Sequence, residues 1–209
     1  MKRMIRALML TLGMLGIGGG AFAQTQIPLP AQNGTYSPDV RGFWFTVPVA
    51  TVITGLRVPT DADTGPQSIE VVRLSAVPPQ YTSATTNAFT SLFRITNDNS
   101  TTTVPVNIPV AAGDIIGVLG SRSNVTSYGQ GDFATTMLGQ PITLRRLGMQ
   151  FPLSSTSAQD LWTETGGRIG RIEVSFGAPA ASIPTVSTWA LLLMGLGLFG
   201  LARKRLVRR

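Results

Sequence analysis

Arg168-Ile169-Gly170-Arg171-Ile172-Glu173-Val174-Ser175-Phe176 alternates strictly in its second half, with Ile172, Val174 and Phe176 apolar and Arg171, Glu173 and Ser175 polar. Successive side chains of a strand face opposite ways, so this pattern predicts a strand with one dry and one wet face. Thr103-Val104-Pro105-Val106-Asn107-Ile108 repeats it, with Val104, Val106 and Ile108 on one side. Pro105 has no N–H to give a ladder, which places that strand at a sheet edge.

Working outward, Gly42 to Pro48 carries Phe43, Phe45 and Val47 on one face and Trp44 on the other. Thr51–Val58, Ile69–Leu74, Leu92–Ile95, Ile115–Leu119 and Ile142–Leu147 are further strands by composition. Gln24–Asp39, with Pro28, Pro30, Asn33-Gly34 and Pro38, reads as a lead-in holding one short strand. Ser75–Asn87 reads as a long loop, and the glycine-rich, polar Ser121–Gly139 as a loop with a little structure. That gives about eight strands and no 3.6-residue periodicity outside the two ends of the chain. The expected fold is all-β: a single antiparallel β-sandwich of jelly-roll type spanning 24–177.

Composition narrows the chemistry. The net charge of +7 comes from the ends: three of the 17 cations lie in residues 2–6 and five in 203–209. Residues 24–182 hold the other nine, all Arg, against all ten carboxylates, a net charge of −1. No basic patch for nucleic acid is expected. The chain has no His and no Cys, so His-based triads, cysteine nucleophiles, disulfides and His/Cys metal sites are excluded. No cofactor is implied, and no catalytic residue is assigned.

Three candidate chemistries remain. Asp61-Ala62-Asp63-Thr64-Gly65 opens like a calcium loop, but Gly65, Pro66 and Val72 stand where such a loop needs an oxygen ligand, a glycine and a glutamate. It reads as an Asp-rich turn and not as a metal site. Sugars stack on flat rings, which makes Tyr81 and Tyr128, both in expected loops, and Trp44 the candidate carbohydrate contacts; the competing reading puts Trp44 in the core. Paired carboxylates of a glycosidase could come from Asp114, Asp132, Asp160 and Glu164, though no spacing selects two of them.

The ends of the chain concern transport. Lys2, Arg3 and Arg6 precede the apolar stretch 7–20, and Ala21-Phe22-Ala23 offers small residues where a signal peptidase reads them. Residues 1–23 are therefore expected to be a signal peptide, cut after Ala23 by signal peptidase during export. At the other end, a linker over 178–182 leads to Ile183-Pro184-Thr185-Val186 and Trp189. An apolar run follows, giving a marginal membrane helix over 186–202, and then Arg203, Lys204, Arg205, Arg208 and Arg209. This basic cluster, 203–209, should stop transfer at the cytoplasmic face.

Motif, span and cluster together resemble the bacterial IPTL-CTERM sorting signal, a relative of PEP-CTERM tails, with Val186 in place of the usual Leu. The resemblance implies recognition by an exosortase-type membrane transpeptidase. It also implies an inner-membrane intermediate, then delivery to the cell surface or extracellular matrix, where exopolysaccharide is an expected partner. The domain between the ends is then expected to be structural or adhesive, not an enzyme; a carbohydrate-binding module is the alternative, with a glycosidase behind it.

Overall fold

The computed structural model describes residues 25–177, in which the chain forms thirteen strands and no helix. No helix among them is therefore long and apolar enough to cross a membrane. β1 (Thr25–Gln26), β2 (Gln32–Tyr36), β3 (Arg41–Thr46) and β4 (Thr51–Arg57) come first. β5 (Gln67–Leu74) and β6 (Phe89–Asp98) are joined by a long loop, and β7 (Val104–Val110) and β8 (Ile115–Arg122) by the Ala111–Asp114 turn. β9 (Thr126–Gly129), β10 (Phe133–Met137), β11 (Gln140–Gly148), β12 (Ile169–Gly170) and β13 (Glu173–Gly177) complete the order. The expected signal peptide, its cleavage residues Ala21 and Ala23, the linker and the whole of 183–209 lie outside the described residues.

All ladders are antiparallel. Four strands pair in the order β1-β13-β4-β7, six in the order β10-β11-β3-β8-β5-β6, and three in the order β12-β9-β2. One apolar cluster is drawn from both larger sheets, which is consistent with a β-sandwich. Phe43, Phe45, Ile69, Val71, Ile116 and Val118 come from the six-stranded sheet; Ile53, Leu56, Ile108, Val174 and Phe176 come from the four-stranded one. β7 lies at the edge of its sheet, as Pro105 requires, and carries a second proline, Pro109.

Several segments differ from expectation. Ser121–Gly139 holds more than a little structure: it carries β9 and β10, whose Thr-, Ser- and Gly-rich sequences have little β signal of their own. Leu92–Ile95 is only the middle of the ten-residue β6, and the lead-in supplies two strands, not one. Arg168–Phe176 is broken. Its first part, β12, joins the three-stranded sheet and its second, β13, the four-stranded one. Gly170 marks the break, where a Cβ would come within 2.2 Å of the Arg41 carbonyl oxygen and only glycine allows the strands so close. Arg171 then turns outward onto the Pro30 carbonyl and Asp61, while Ile172, Val174 and Phe176 stay buried.

The middle of the outer face of the six-stranded sheet is also dry. Trp44, Val72, Leu74, Leu119 and Leu147 point away from the sandwich core and are covered by Met149, Leu153, Ala158 and Leu161. The cover is irregular chain. Its backbone is stitched to the 75–88 loop, Thr86 and Leu161 exchanging N–H···O=C bonds while Tyr81 and Thr163 each take part in another, and to β11 through Gly148 and Trp162. Glu70, fully buried on this face, accepts from the Ala158 N–H at 2.8 Å and the Ser91 hydroxyl at 2.8 Å.

Candidate functional site

The three aromatic residues singled out for sugar binding fare differently. Trp44 is only 4% exposed, and its indole N–H donates to Thr163 Oγ1 at 2.9 Å. The Thr163 hydroxyl donates onward to the Arg146 carbonyl at 2.7 Å. A ring packed in this way has no free face for a sugar, so Trp44 is corrected to a core residue. Tyr128 is corrected too: it sits on β9, not in a loop, and is 5% exposed. Burial pushes its phenol above the usual tyrosine value, against the opposing pull of Arg146 and Arg41. Tyr81 alone among the three stands out of the surface, at 43% exposure, with its N–H on the Thr163 carbonyl and its ring 4.6 Å from that of Trp162.

Beneath Tyr81 lies a stack that the sequence does not reveal. The guanidinium of Arg41 lies 4.8 Å from the Trp162 ring and 4.6 Å from the Tyr36 ring. That of Arg146 lies 5.3 Å from Trp162 and 5.5 Å from Tyr128. Tyr36 and Tyr128 stack on each other at 5.8 Å. Two cations thus lie among three rings, each ring having at least one guanidinium over it. Arg41 is held by the Val40 and Met149 carbonyls at 2.9 and 2.5 Å and by Gln150 at 3.1 Å. Burial lowers its pKa from the usual arginine value. The residues come from β2, β3, β9, β11 and the cover, and no single stretch of sequence shows that they meet.

A second feature is an open cleft of about 300 Å³ on the outer side of β10, β11 and β3. Thr46, Thr143 and Arg145 line it, with Ala134, Thr135 and Pro141. The Arg145 guanidinium lies 5.3 Å from the Trp44 ring, and Arg145 is exposed and forms no ion pair with a carboxylate of the described residues. Trp44, withdrawn from solvent, is therefore the floor under an exposed cation.

The carboxylates all have structural partners. Asp114 pairs with Arg73 at 3.0 Å, Asp160 accepts from Asn87 at 2.7 Å, Asp132 accepts from the Gly166 N–H at 2.8 Å, and Glu164 lies 3.3 Å from Arg146. Asp132 and Glu164 meet the same 164–167 turn, whereas Asp114 and Asp160 lie elsewhere. Asp61 is more than a solvated turn residue: it accepts from Ser127 at 2.7 Å and pairs with Arg171. Asp63 closes the turn by accepting from the Gly65 N–H at 2.7 Å. Among the described residues no three His, Cys, Asp or Glu converge to hold a metal ion.

A buried cation was also missed. Arg122 has no exposed surface and donates to the Val58, Gly65 and Ser100 carbonyls at 2.9, 2.8 and 3.2 Å and to Gln67 at 3.3 Å. It ties two loops to the end of the sheet, and burial lowers its pKa. No family model matches the chain, and no curated protein matches it significantly.

Proposed function

We propose that this is an exported bacterial cell-surface or extracellular-matrix protein whose β domain is structural or adhesive and not an enzyme. Residues 1–23 direct export and are removed after Ala23. The tail, 183–209, holds the protein in the inner membrane until an exosortase-type transpeptidase cuts near Ile183-Pro184-Thr185 and passes the domain outward. Pro184 cannot donate a backbone hydrogen bond and disfavours helix at Ile183, which suits an extended, accessible motif. Trp189 suits the headgroup layer, and the five cations from Arg203 to Arg209 resist passage across the membrane.

The observation that carries the reading is the tail's order of motif, apolar run and basic cluster. In the domain between the ends, β1 pairs with β13, Thr25 opposite Phe176, so the first and last described strands lie side by side. The finer reading of the fold is a jelly roll. β3 pairs with β8 in one sheet while β4 pairs with β7 in the other, so two connected strand pairs run together across both layers.

Cell fractionation tests the proposal. Changing Pro184→Ala or Thr185→Ala should leave full-length protein in the inner membrane, while the parent chain leaves it. Equal release of the variants and the parent would refute recognition of the motif. A carbohydrate-binding module is the second reading, favoured by the exposed Tyr81 ring backed by Trp162.

A further inference from the structure

We propose that the cleft at Thr46, Thr143 and Arg145 binds an acidic saccharide, with Arg145 taking the sugar carboxylate. The cleft is a site distinct from the Tyr81 platform, and the inference rests on the surface-protein reading only for where its ligand comes from. At about 300 Å³ it falls at the small end of the range of ligand pockets, which suits a short stretch of glycan entering from the side.

The argument starts from the charge. Six of the nine described arginines are within 4.0 Å of a carboxylate, and Arg122 spends its N–H groups on carbonyls and Gln67. Arg145 and the exposed Arg168 have neither arrangement, and of the two it is Arg145 that lines the cleft and lies over an aromatic ring. Its guanidinium carbon lies over the Trp44 ring, 5.3 Å from the centroid, and its N–H groups donate to no other described residue, so they remain open to an acceptor. The N–H edge of a guanidinium is a fork matched to a carboxylate, which it binds through two parallel hydrogen bonds.

Rigidity is the second element. Trp44 is fixed from behind by its bond to Thr163, and Arg145 faces it across the β3–β11 ladder. The cation therefore stands over a ring that is already fixed before any ligand arrives. Hydroxyls are the third. Thr46 and Thr143 line the same cleft, and a threonine hydroxyl can both donate to and accept from sugar hydroxyls. Thr135 already donates to the Pro28 carbonyl at 3.0 Å and retains only its acceptor side. One cation with neutral hydroxyls around it suits a polymer bearing about one acid per sugar ring better than a phosphate-dense ligand, which would call for several cations.

Calorimetric titration of the full chain in nonionic detergent tests this, with galacturonate tetramer as the probe and maltotetraose and acetate as comparisons. The tetramer should bind, more weakly in 0.5 M salt because the key contact is ionic and exposed. Maltotetraose and acetate should bind at least roughly tenfold more weakly, one lacking the charge and the other the hydroxyls. Arg145→Ala should weaken the tetramer by roughly tenfold or more. Arg145→Lys should fall between, since it keeps the charge and loses the fork. Tyr81→Ala should bind as the parent does. Unchanged binding by Arg145→Ala, or maltotetraose binding as tightly as the galacturonate tetramer, would overturn the proposal; acetate matching the tetramer would overturn its saccharide part. Should Arg145→Ala fail to fold, Thr143→Val with the salt series decides. None of these results depends on whether the tail is cut.

Discussion

The inner face of the six-stranded sheet and the middle of its outer face are both dry but are sealed in different ways. The inner face meets another sheet, whose ladders satisfy their own N–H and C=O groups, so the contact can be wholly apolar. Phe43, Phe45, Ile69, Val71, Ile116 and Val118 bring no polar side chain to it. The outer face meets irregular chain. Buried backbone outside a ladder must find partners one by one, and the sheet supplies them with side chains. Glu70 anchors the Ala158 N–H and Arg41 the Met149 carbonyl, while from the cover the Thr163 hydroxyl links the Trp44 indole to the Arg146 carbonyl of β11. The fit is imperfect, for the Trp162 indole N–H and Arg41 Nε are buried without a hydrogen-bond partner. A regular face therefore gives strength, and an irregular one gives shape. Of the two candidate binding features, Tyr81 belongs to the irregular chain, while the Arg145 cleft lies on the strands β3, β10 and β11.

Substitutions can test that contrast. Leu144→Ala on the inner face should cost about 3–5 kcal/mol in chemical denaturation, because neighbouring strands cannot close on the cavity. Leu161→Ala on the outer face should cost less, about 2–3 kcal/mol, because an irregular cover can settle inward. Equal losses would mean that the cover is as rigid as a sheet.

Glu70→Ala sharpens the comparison. It leaves the Ala158 N–H buried without an acceptor, at about 1–3 kcal/mol. Hydrogen exchange should rise first across residues 153–160 and leave β3 and β8 protected. A uniform rise would place Glu70 in the common core.

The smallest effect is on pH dependence. The Ser100 hydroxyl and Gln67 hold the Asp98 carboxyl below the usual carboxylate range. Desolvation raises the Asp61 carboxyl, but Arg171 and Ser127 together outweigh it and lower it. A depressed carboxylate stabilises the fold above its unfolded pKa and loses that contribution as pH falls through the folded value. Melting temperature should therefore be flat near neutrality and fall below about pH 4. Asp98→Asn should flatten part of that fall, and an unchanged profile would exclude Asp98 as a contributor.

The inner face was legible and the outer one was not, for the same reason. Phe43, Phe45, Val47 and Ile172, Val174, Phe176 alternate because one side meets a regular sheet, and alternation survives in one dimension. Trp44 belongs to the opposite set of β3, where its partner Thr163 is 119 residues away. Tyr128 looked like a loop residue because Ser127, Gly129 and Gly131 surround it. Its burial depends on Tyr36 and Arg146, which no local pattern announces. Arg122 ends an apolar strand and reads as a surface cation until the Val58, Gly65 and Ser100 carbonyls close around it. Tyr81 was picked for its loop, which remains irregular chain, and it keeps its exposure.

The most direct test of the functional account is the intact mass of the protein recovered from the surface of cells that carry it. The account predicts a chain that begins at Gln24, lacks Arg203 to Arg209, and ends near Ile183-Pro184-Thr185. A mass that retains the peptide through Arg209 in surface-exposed material would show that the tail is an anchor and contradict sorting by cleavage.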